Sequence, residues 1–442
     1  MSEAARLTRA ELRARQFHRL RDLLTAVAEG NAFYRQRLEP LGPDFFRIEL
    51  IEDFCQRFPF TTKAEVMADQ IAHPPYGTNL TYPLAQYTRC HQTSGTTGTP
   101  LRWLDTPADW DGLTASWLEV LQASGVRPGD RVFFAFSFGP FIGFWMAFAA
   151  AERLGCLCIP GGGLSTSARL RAILDHRATV LCCTPTYALH LAQAAVREGI
   201  DLRKSAVRLL LVAGELGGSV PATRACLENA WPRARVRDHH GMTEVGPVTH
   251  ECPAEPGVLH VMEHAYLAEV IDPATGRPVG DGQRGELVLT TLGRVGMPLL
   301  RYRTGDLVQP RFAPGRFGMP ACTCGRHELA FTGGILGRVD DMVIVRGVNV
   351  FPSAVDDVIR RFAEVTEYQV LLTRPNGLVE LGIEIEPVAD CVEPAALARS
   401  VQEELHIAFA LRVPVTFVPP GTLPRYELKA RRWVQLNQPQ AA

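Results

Sequence analysis

The chain has 442 residues, 46% hydrophobic and 21% charged, the balance of a globular protein long enough for a large domain plus a smaller one. Its formal net charge of −1 supplies no field to draw nucleic acid or an anionic membrane, and neither is expected as a partner. The 11 cysteines lack the regular spacing of a secreted disulfide scaffold, and Met1 to Arg21 lacks the apolar core of a signal peptide, so a cytoplasmic protein is expected.

From Arg9 to Leu38, Leu12, Phe17, Leu20, Leu23, Leu24 and Val27 recur at helical spacing, which predicts an amphipathic helix broken near Gly30-Asn31. The apolar stretch from Val132 to Ala151 holds Ser137, Gly139, Pro140 and Gly143, and reads as strand, glycine turn and buried helix rather than a membrane span. Arg131 to Phe136, Thr179 to Cys183 and Val207 to Val212 read as buried strands. Phe144 to Leu154, Ala168 to His176 and Ala188 to Glu198 read as the helices between them. That alternation predicts an α/β fold with parallel sheet and crossover connections. Cys156, Cys158, Cys182 and Cys183 fall in these apolar runs and read as small reduced core thiols.

From Ala265 the pattern turns to short strands, Tyr266 to Ile271, Gly285 to Thr290 and Asp306 to Gln309, parted by Gly/Pro/Asp turns. After Gly337 a compact α+β unit follows, with strands at Met342 to Arg346, Glu367 to Leu372, Val379 to Glu386 and Pro414 to Val418. Its helices are Ser353 to Phe362 and Pro394 to Phe409. The expected organisation is a large domain over residues 1–338 and a small α+β domain over 339–442.

Three segments carry chemistry. Thr93-Ser94-Gly95-Thr96-Thr97-Gly98-Thr99-Pro100 offers glycines that let backbone N–H groups approach an anion and hydroxyls that can donate to phosphate. It lacks the lysine of a P-loop, and an ordinary polar surface loop is the alternative. In Asp238-His239-His240-Gly241-Met242-Thr243-Glu244, Glu244 could hold Mg²⁺ against ATP phosphates, Thr243 could add a hydroxyl and His240 a flat ring for a purine. Neighbours on a strand point to opposite faces, which disfavours His239-His240 as a metal pair. In Tyr302-Arg303-Thr304-Gly305-Asp306, a carboxylate after a tight turn suits ribose hydroxyls.

In this order, these segments resemble the adenylate-forming superfamily of acyl-CoA synthetases, peptide-synthetase adenylation domains and luciferases. Within it they resemble the phenylacetate-CoA ligase family, including members related to coenzyme F390 synthetase. Asn31 to Arg35, Gly241 to Gly246, Gly285 to Thr290, Pro298 to Asp306, Gly337 to Pro352 and Leu423 to Ala430 carry the resemblance with the hydroxyl loop. It implies a large adenylate-forming domain with a mobile C-terminal domain. It also implies an activity, in which ATP and a carboxylic acid give an acyl-adenylate whose acyl group passes to coenzyme A.

Residue by residue, it puts the ATP phosphates on Ser94, Gly95, Thr96, Thr97 and Gly98, with Thr99 where relatives usually carry Lys. Adenine falls to Gly214, Glu215 and the Asp238-His239-His240 stretch, where His240 replaces a stacking Tyr. Ribose falls to Asp306, the nucleotide near the hinge to Arg338, and the hinge itself to Asp340. Lys429 would reach from the mobile domain to the charge built up when a carboxylate attacks the α-phosphorus, aided by Mg²⁺ at Glu244. The acyl pocket would draw on Phe136, Phe138, Gly139 and Phe141, whose rings suit an aromatic acid as well as they suit a core.

Cys322 and Cys324 form a short chelating pair which, with Cys252 and His260, would complete tetrahedral zinc; His250 is the substitute for His260, and free surface thiols are the alternative. The resemblance to zinc-bearing relatives favours a structural site. Transfer to an amine or a carrier-protein thiol remains a rival, as does a non-catalytic nucleotide-binding protein, and a homodimer stays open.

Overall fold

The computed structural model describes residues 7–42, 47–93, 100–311, 322–346, 348–374, 379–426 and 430–436. Helix α1 (Arg9–Gly30) starts at a capping box in which the Thr8 hydroxyl accepts from the Glu11 N–H and the Glu11 carboxylate accepts from the Thr8 N–H. The expected break falls at Asn31, whose side chain accepts from the Tyr34 N–H and so starts α2 (Ala32–Leu38). Helices α3 (Ile51–Arg57) and α4 (Lys63–Ala72), the hairpin β1 (Arg89–Gln92) and β2 (Arg102–Asp105), and α5 (Pro107–Ala123) follow. Of these, α3, α4, the hairpin and α5 were not legible from periodicity.

The middle of the chain alternates β3 (Arg131–Phe134), α6 (Ile142–Leu154), β4 (Leu157–Pro160), α7 (Thr166–Asp175), β5 (Val180–Cys183), α8 (Pro185–Arg197), β6 (Leu209–Val212), α9 (Pro221–Ala230) and β7 (Arg235–Asp238). The strands form one parallel sheet in the order β4-β3-β5-β6-β7. Successive side chains feed opposite faces: Val132 and Phe134 join one core with Trp103, Tyr266 and Leu287, while Phe133 joins another with Tyr187, Leu191 and Trp231. A parallel sheet buried on both sides explains the near-continuous apolar runs. Cys182 and Cys183 are core thiols as expected, whereas Cys156 and Cys158 are only partly buried, because β4 is an edge strand.

A small hairpin, β8 (Gly241–Met242) and β9 (Gly246–Pro247), leads into β10 (Thr249–Glu251), β11 (Val258–Val261), β12 (Tyr266–Ile271), β13 (Gly285–Thr291), β14 (Tyr302–Pro310) and β15 (Ala330–Arg338). The last six pair antiparallel in the order β10-β11-β15-β14-β13-β12. Beyond them lie β16 (Val343–Val345), β17 (Val348–Val350), α10 (Pro352–Ile359), β18 (Val365–Thr373), β19 (Glu380–Pro387), α11 (Pro394–Phe409), β20 (Val415–Phe417) and β21 (Trp433–Gln435). They enclose a core of their own, from Val345 to Val413. Polar contacts join this unit to the parallel-sheet helices: the Thr223 hydroxyl donates to Asp356 at 2.8 Å and the Gln193 amide to the Thr366 carbonyl at 3.2 Å. No described helix is long and apolar enough to cross a membrane.

Candidate active site

In open parallel sheets, ligands gather at the carboxyl ends of the strands, where side chains and loop amides are not consumed by pairing. Gly214 and Glu215 follow β6 there, and His239 and His240 follow Asp238, the last residue of β7. Both carboxylate oxygens of Glu215 are in use: one accepts the Thr186 N–H at the start of α8, the other the Ala430 N–H from the C-terminal segment, each at 2.8 Å. Asp238 is buried, accepts the Ser219 hydroxyl at 2.6 Å, and has its carboxyl pushed up to about 7 by burial, with the Glu251 charge adding to the rise. His239 lies edge-on to Trp117, with ring centres 4.4 Å apart, and burial holds its imidazole down at about 3. His240 turns the other way, to Asp306. The two histidines therefore share no common ligand position.

Asp306 on β14 stands directly opposite Arg338 on β15. Its Oδ1 lies 3.3 Å from Arg338 Nη1 and its Oδ2 2.9 Å from His240 Nε2, while Arg338 Nε donates to Asp340 Oδ1 at 2.8 Å. Gly305 sits at φ +78°, a backbone conformation that L side chains rarely adopt, beside the Arg338 guanidinium. Burial lowers the Arg338 pKa, but Asp340, Asp306 and Asp341 outweigh it and hold the guanidinium firmly charged. Nearby, Glu244 is buried at the tip of the β8–β9 hairpin, and its Oε1 meets Lys63 Nζ at 3.2 Å. Burial and the Glu244 charge together raise the Tyr302 phenol well above its ordinary value. The fold thus gathers His240, Asp306, Arg338 and Asp340 in one chain of contacts, with Glu244 and Lys63 paired close by.

The proposed acyl-pocket residues divide. Phe136 is buried and stacked on Phe144, with ring centres 4.1 Å apart. Phe138 and Phe141 are partly buried, Gly139 is exposed, and the Gly139 carbonyl accepts the Trp145 indole N–H at 2.9 Å.

Away from these groups, the ligand atoms of Cys252, His260, Cys322 and Cys324 all lie within 4.8 Å of one another. Strand β11 supplies His260, the end of β10 leads to Cys252, and the turn before β15 supplies the cysteine pair. Burial holds the His260 imidazole neutral, down at about 4. His250, opposite His260 across the β10–β11 pair, stands outside the group; its Nε2 lies 3.8 Å from Glu328.

Ser94, Gly95, Thr96, Thr97, Gly98, Thr99 and Lys429 lie outside the described residues. Sequence reasoning missed Lys63 and Arg294. Lys63 is the first helical residue after the Thr62 cap, inside a capping box closed by Glu65, a signal for a helix start that gives no hint of the partner. Arg294 carries no local signal at all.

Residues 91–293 match the AMP-binding enzyme family model, and residues 347–436 match that of the AMP-binding enzyme C-terminal domain. The chain is 35% identical over 459 residues to phenylacetate-coenzyme A ligase of Thermus thermophilus, with 99% of each chain covered. Among solved structures, it superposes on 2-hydroxyisobutyryl-CoA ligase in the postadenylation state with 2-HIB-AMP at a TM-score of 0.88 and 29% identity, covering 95% of this chain and 88% of that one. Against the same enzyme with 2-HIB-AMP and CoA in the thioesterification state the TM-score is 0.72, at 29% identity and 97% and 91% coverage. The arrangement of this chain is thus nearer the former state.

Proposed function

The chain belongs to the phenylacetate-coenzyme A ligase family, and we propose how its residues share the work of an AMP-forming acid–thiol ligase. A carboxylate oxygen of the acid attacks the α-phosphorus of ATP, the bond to the β-phosphate breaks, and pyrophosphate leaves. The sulfur of coenzyme A, its proton lost, then attacks the acyl carbon, and AMP leaves with the bridging oxygen.

The observation that carries the assignment of residues is the meeting of Asp306, His240 and Arg338 at one point. Asp306 takes the ribose hydroxyls, Arg338 the nucleotide beside them, and Gly214, Glu215 and His240 flank adenine, with Asp238 and His239 backing that wall. Ser94 to Gly98 cradle the phosphates. Glu244, with Thr243 beside it, holds Mg²⁺, which when bound screens the phosphate charge and so favours attack. The fit is that of a buried carboxylate whose described cationic neighbour, Lys63, has a side chain about half exposed. Lys429 comes in from residues 339–442, which pivot at Asp340 between half-reactions. The higher similarity to a postadenylation state than to a thioesterification state supports two such positions for that unit.

The acid is aromatic in this reading, supported by Phe138, its ring centre 5.1 Å from that of the exposed Trp145, and by Phe141, 5.9 Å from Phe144. A panel of benzoic, phenylacetic, anthranilic and hydroxylated aryl acids in a pyrophosphate-release assay, with and without coenzyme A, tests both halves. Release only with aliphatic acids removes the aromatic assignment. Pyrophosphate exchange without CoA-dependent AMP release moves the acceptor to an amine or a carrier-protein thiol.

Cys252, His260, Cys322 and Cys324 hold structural zinc in this reading. A tetrahedral ion with Zn–S of about 2.3 Å and Zn–N of about 2.0–2.1 Å requires S···S edges of about 3.8 Å and S···N edges of about 3.6 Å. Cys252 and Cys322 Sγ stand 3.7 Å apart, and Cys324 Sγ stands 3.4 Å from His260 Nε2. The donor set and its spacing fit. The cluster pins the turn before β15 to β10 and β11, a role in architecture rather than in the reaction.

A further inference from the structure

Glu244 stands on a hairpin tip whose three carbonyls are all taken by side chains. Arg294 Nη1 donates to the carbonyls of Thr243 and Glu244 at 3.0 and 2.8 Å, and the Tyr266 hydroxyl donates to that of Val245 at 2.7 Å. Gly246 closes the tip at φ +89°, where a Cβ would run into Leu113 at 2.5 Å. The Arg294 side chain is 1% exposed, and its charge is answered by the fully buried Asp105, whose Oδ1 lies 2.7 Å from Nε. Trp103 lies under the guanidinium, 5.6 Å from its ring centre. The loop that carries Arg294 is tied in turn, since Asp109 Oδ1 accepts the N–H groups of Val295 and Gly296 at 2.7 and 3.1 Å.

A buried guanidinium–carboxylate pair stabilises a fold little more than apolar residues of the same volume would, because desolvation consumes most of its attraction. What apolar residues could not do is donate from Nη1 to two successive main-chain carbonyls while Nε of the same rigid plane faces a buried carboxylate. The described side-chain contact of Glu244 itself is the exposed Lys63, so its aim depends on the main chain beneath it.

We propose that Arg294 is a positioning residue for the adenylation half-reaction: anchored by Asp105, it fixes the Thr243–Glu244 main chain and thereby the carboxylate of Glu244. The proposal rests on the assignment of Glu244 to nucleotide-bound Mg²⁺. A displacement of about 1 Å at such a carboxylate costs on the order of 10²-fold in rate. A lysine at 294 keeps the charge but has one nitrogen where arginine uses two, Nε for Asp105 and Nη1 for the carbonyls.

The test uses Arg294→Lys, and the doubly neutral Arg294→Met with Asp105→Asn in case the single change fails to fold. Pyrophosphate exchange is expected to fall on the order of 10²-fold, while thiolysis of separately prepared acyl-adenylate stays within twofold. Calorimetric affinity for a non-hydrolysable ATP analogue should fall in the presence of Mg²⁺ and change little with EDTA. Introduced into Glu244→Gln, Arg294→Lys should cause no further loss. Additive losses in that background, or equal losses in both half-reactions, would overturn the role of Arg294 alone. Unchanged exchange in Glu244→Gln by itself would instead remove the assignment of Glu244, and the proposal with it.

Discussion

Replacing Asp238 by Asn should change how stability depends on pH, in a direction the structure fixes. The carboxyl is enclosed by Ser219, the Gly218 backbone and the end of β7, and sits near the buried Glu251. Its pKa rises from 3.8 in the unfolded reference to about 7 in the fold, so the fold retains a proton that the unfolded chain releases. Below about pH 4 both states are protonated and nothing is lost. Between about pH 4 and 7 only the unfolded chain deprotonates, and stability falls; above about 7 the penalty is constant. A gap of about 3 units corresponds to about 4 kcal/mol at 1.36 kcal/mol per unit, as an order of magnitude. The amide cannot ionise, so Asp238→Asn escapes the penalty. With an unfolding entropy of about 2.1 cal/mol/K per residue, the midpoint of the variant should gain roughly 4 °C on the parent between pH 4.5 and 8. Thermal melts followed by circular dichroism across that range give the difference. Taking the difference also removes the opposite trend from His239, which the fold keeps neutral while the unfolded chain protonates below about 6.5. A flat difference across the range would show that Asp238 is ionised in the fold and refute the reasoning.

Lys429→Ala should lower pyrophosphate exchange by about 10²-fold or more while thiolysis of preformed adenylate survives, and equal loss in both steps would count against a role in adenylation. Glu215→Gln replaces one acceptor oxygen with a donor facing an N–H, at Thr186 or Ala430, so it should loosen the contact between the C-terminal segment and α8. The readout is faster tryptic cleavage near residue 430 at unchanged global melting temperature; an unchanged cleavage rate would count against the contact. Cys324→Ser should abolish stoichiometric zinc, measured by mass spectrometry on protein never exposed to chelator, and lower the melting temperature without selective effect on either half-reaction. Less than half an equivalent of zinc in the parent protein would end the zinc assignment.

Much of the secondary structure is local and therefore legible in the sequence. The α/β alternation follows from apolar periodicity, as do the break at Asn31 and the span of α11, because each depends on neighbours a few residues apart. The order of the hydroxyl loop, the His240–Glu244 stretch and the Asp306 segment carried the family resemblance, although the expected turn before Asp306 lies within strand β14. The four zinc-ligand candidates were nameable, but their convergence was not. It depends on β10, β11 and β15 pairing across about 70 residues of chain, as between Cys252 and Cys322. Strand β15 itself was missed, since Gly333, Gly334 and Gly337 interrupt its apolar pattern, and only pairing with β14 sets Arg338 opposite Asp306. The burial of Phe136 and its stacking on Phe144 could not be read from its neighbours in sequence. Arg294 shows the limit most clearly. A lone arginine in a glycine turn has no pattern, and its place beneath Glu244 exists only because folding brings residues 50 apart into hydrogen-bond range and seals them from water. Residue type and spacing determine what chemistry a segment can offer, and long-range packing alone decides which groups meet and how firmly they are held.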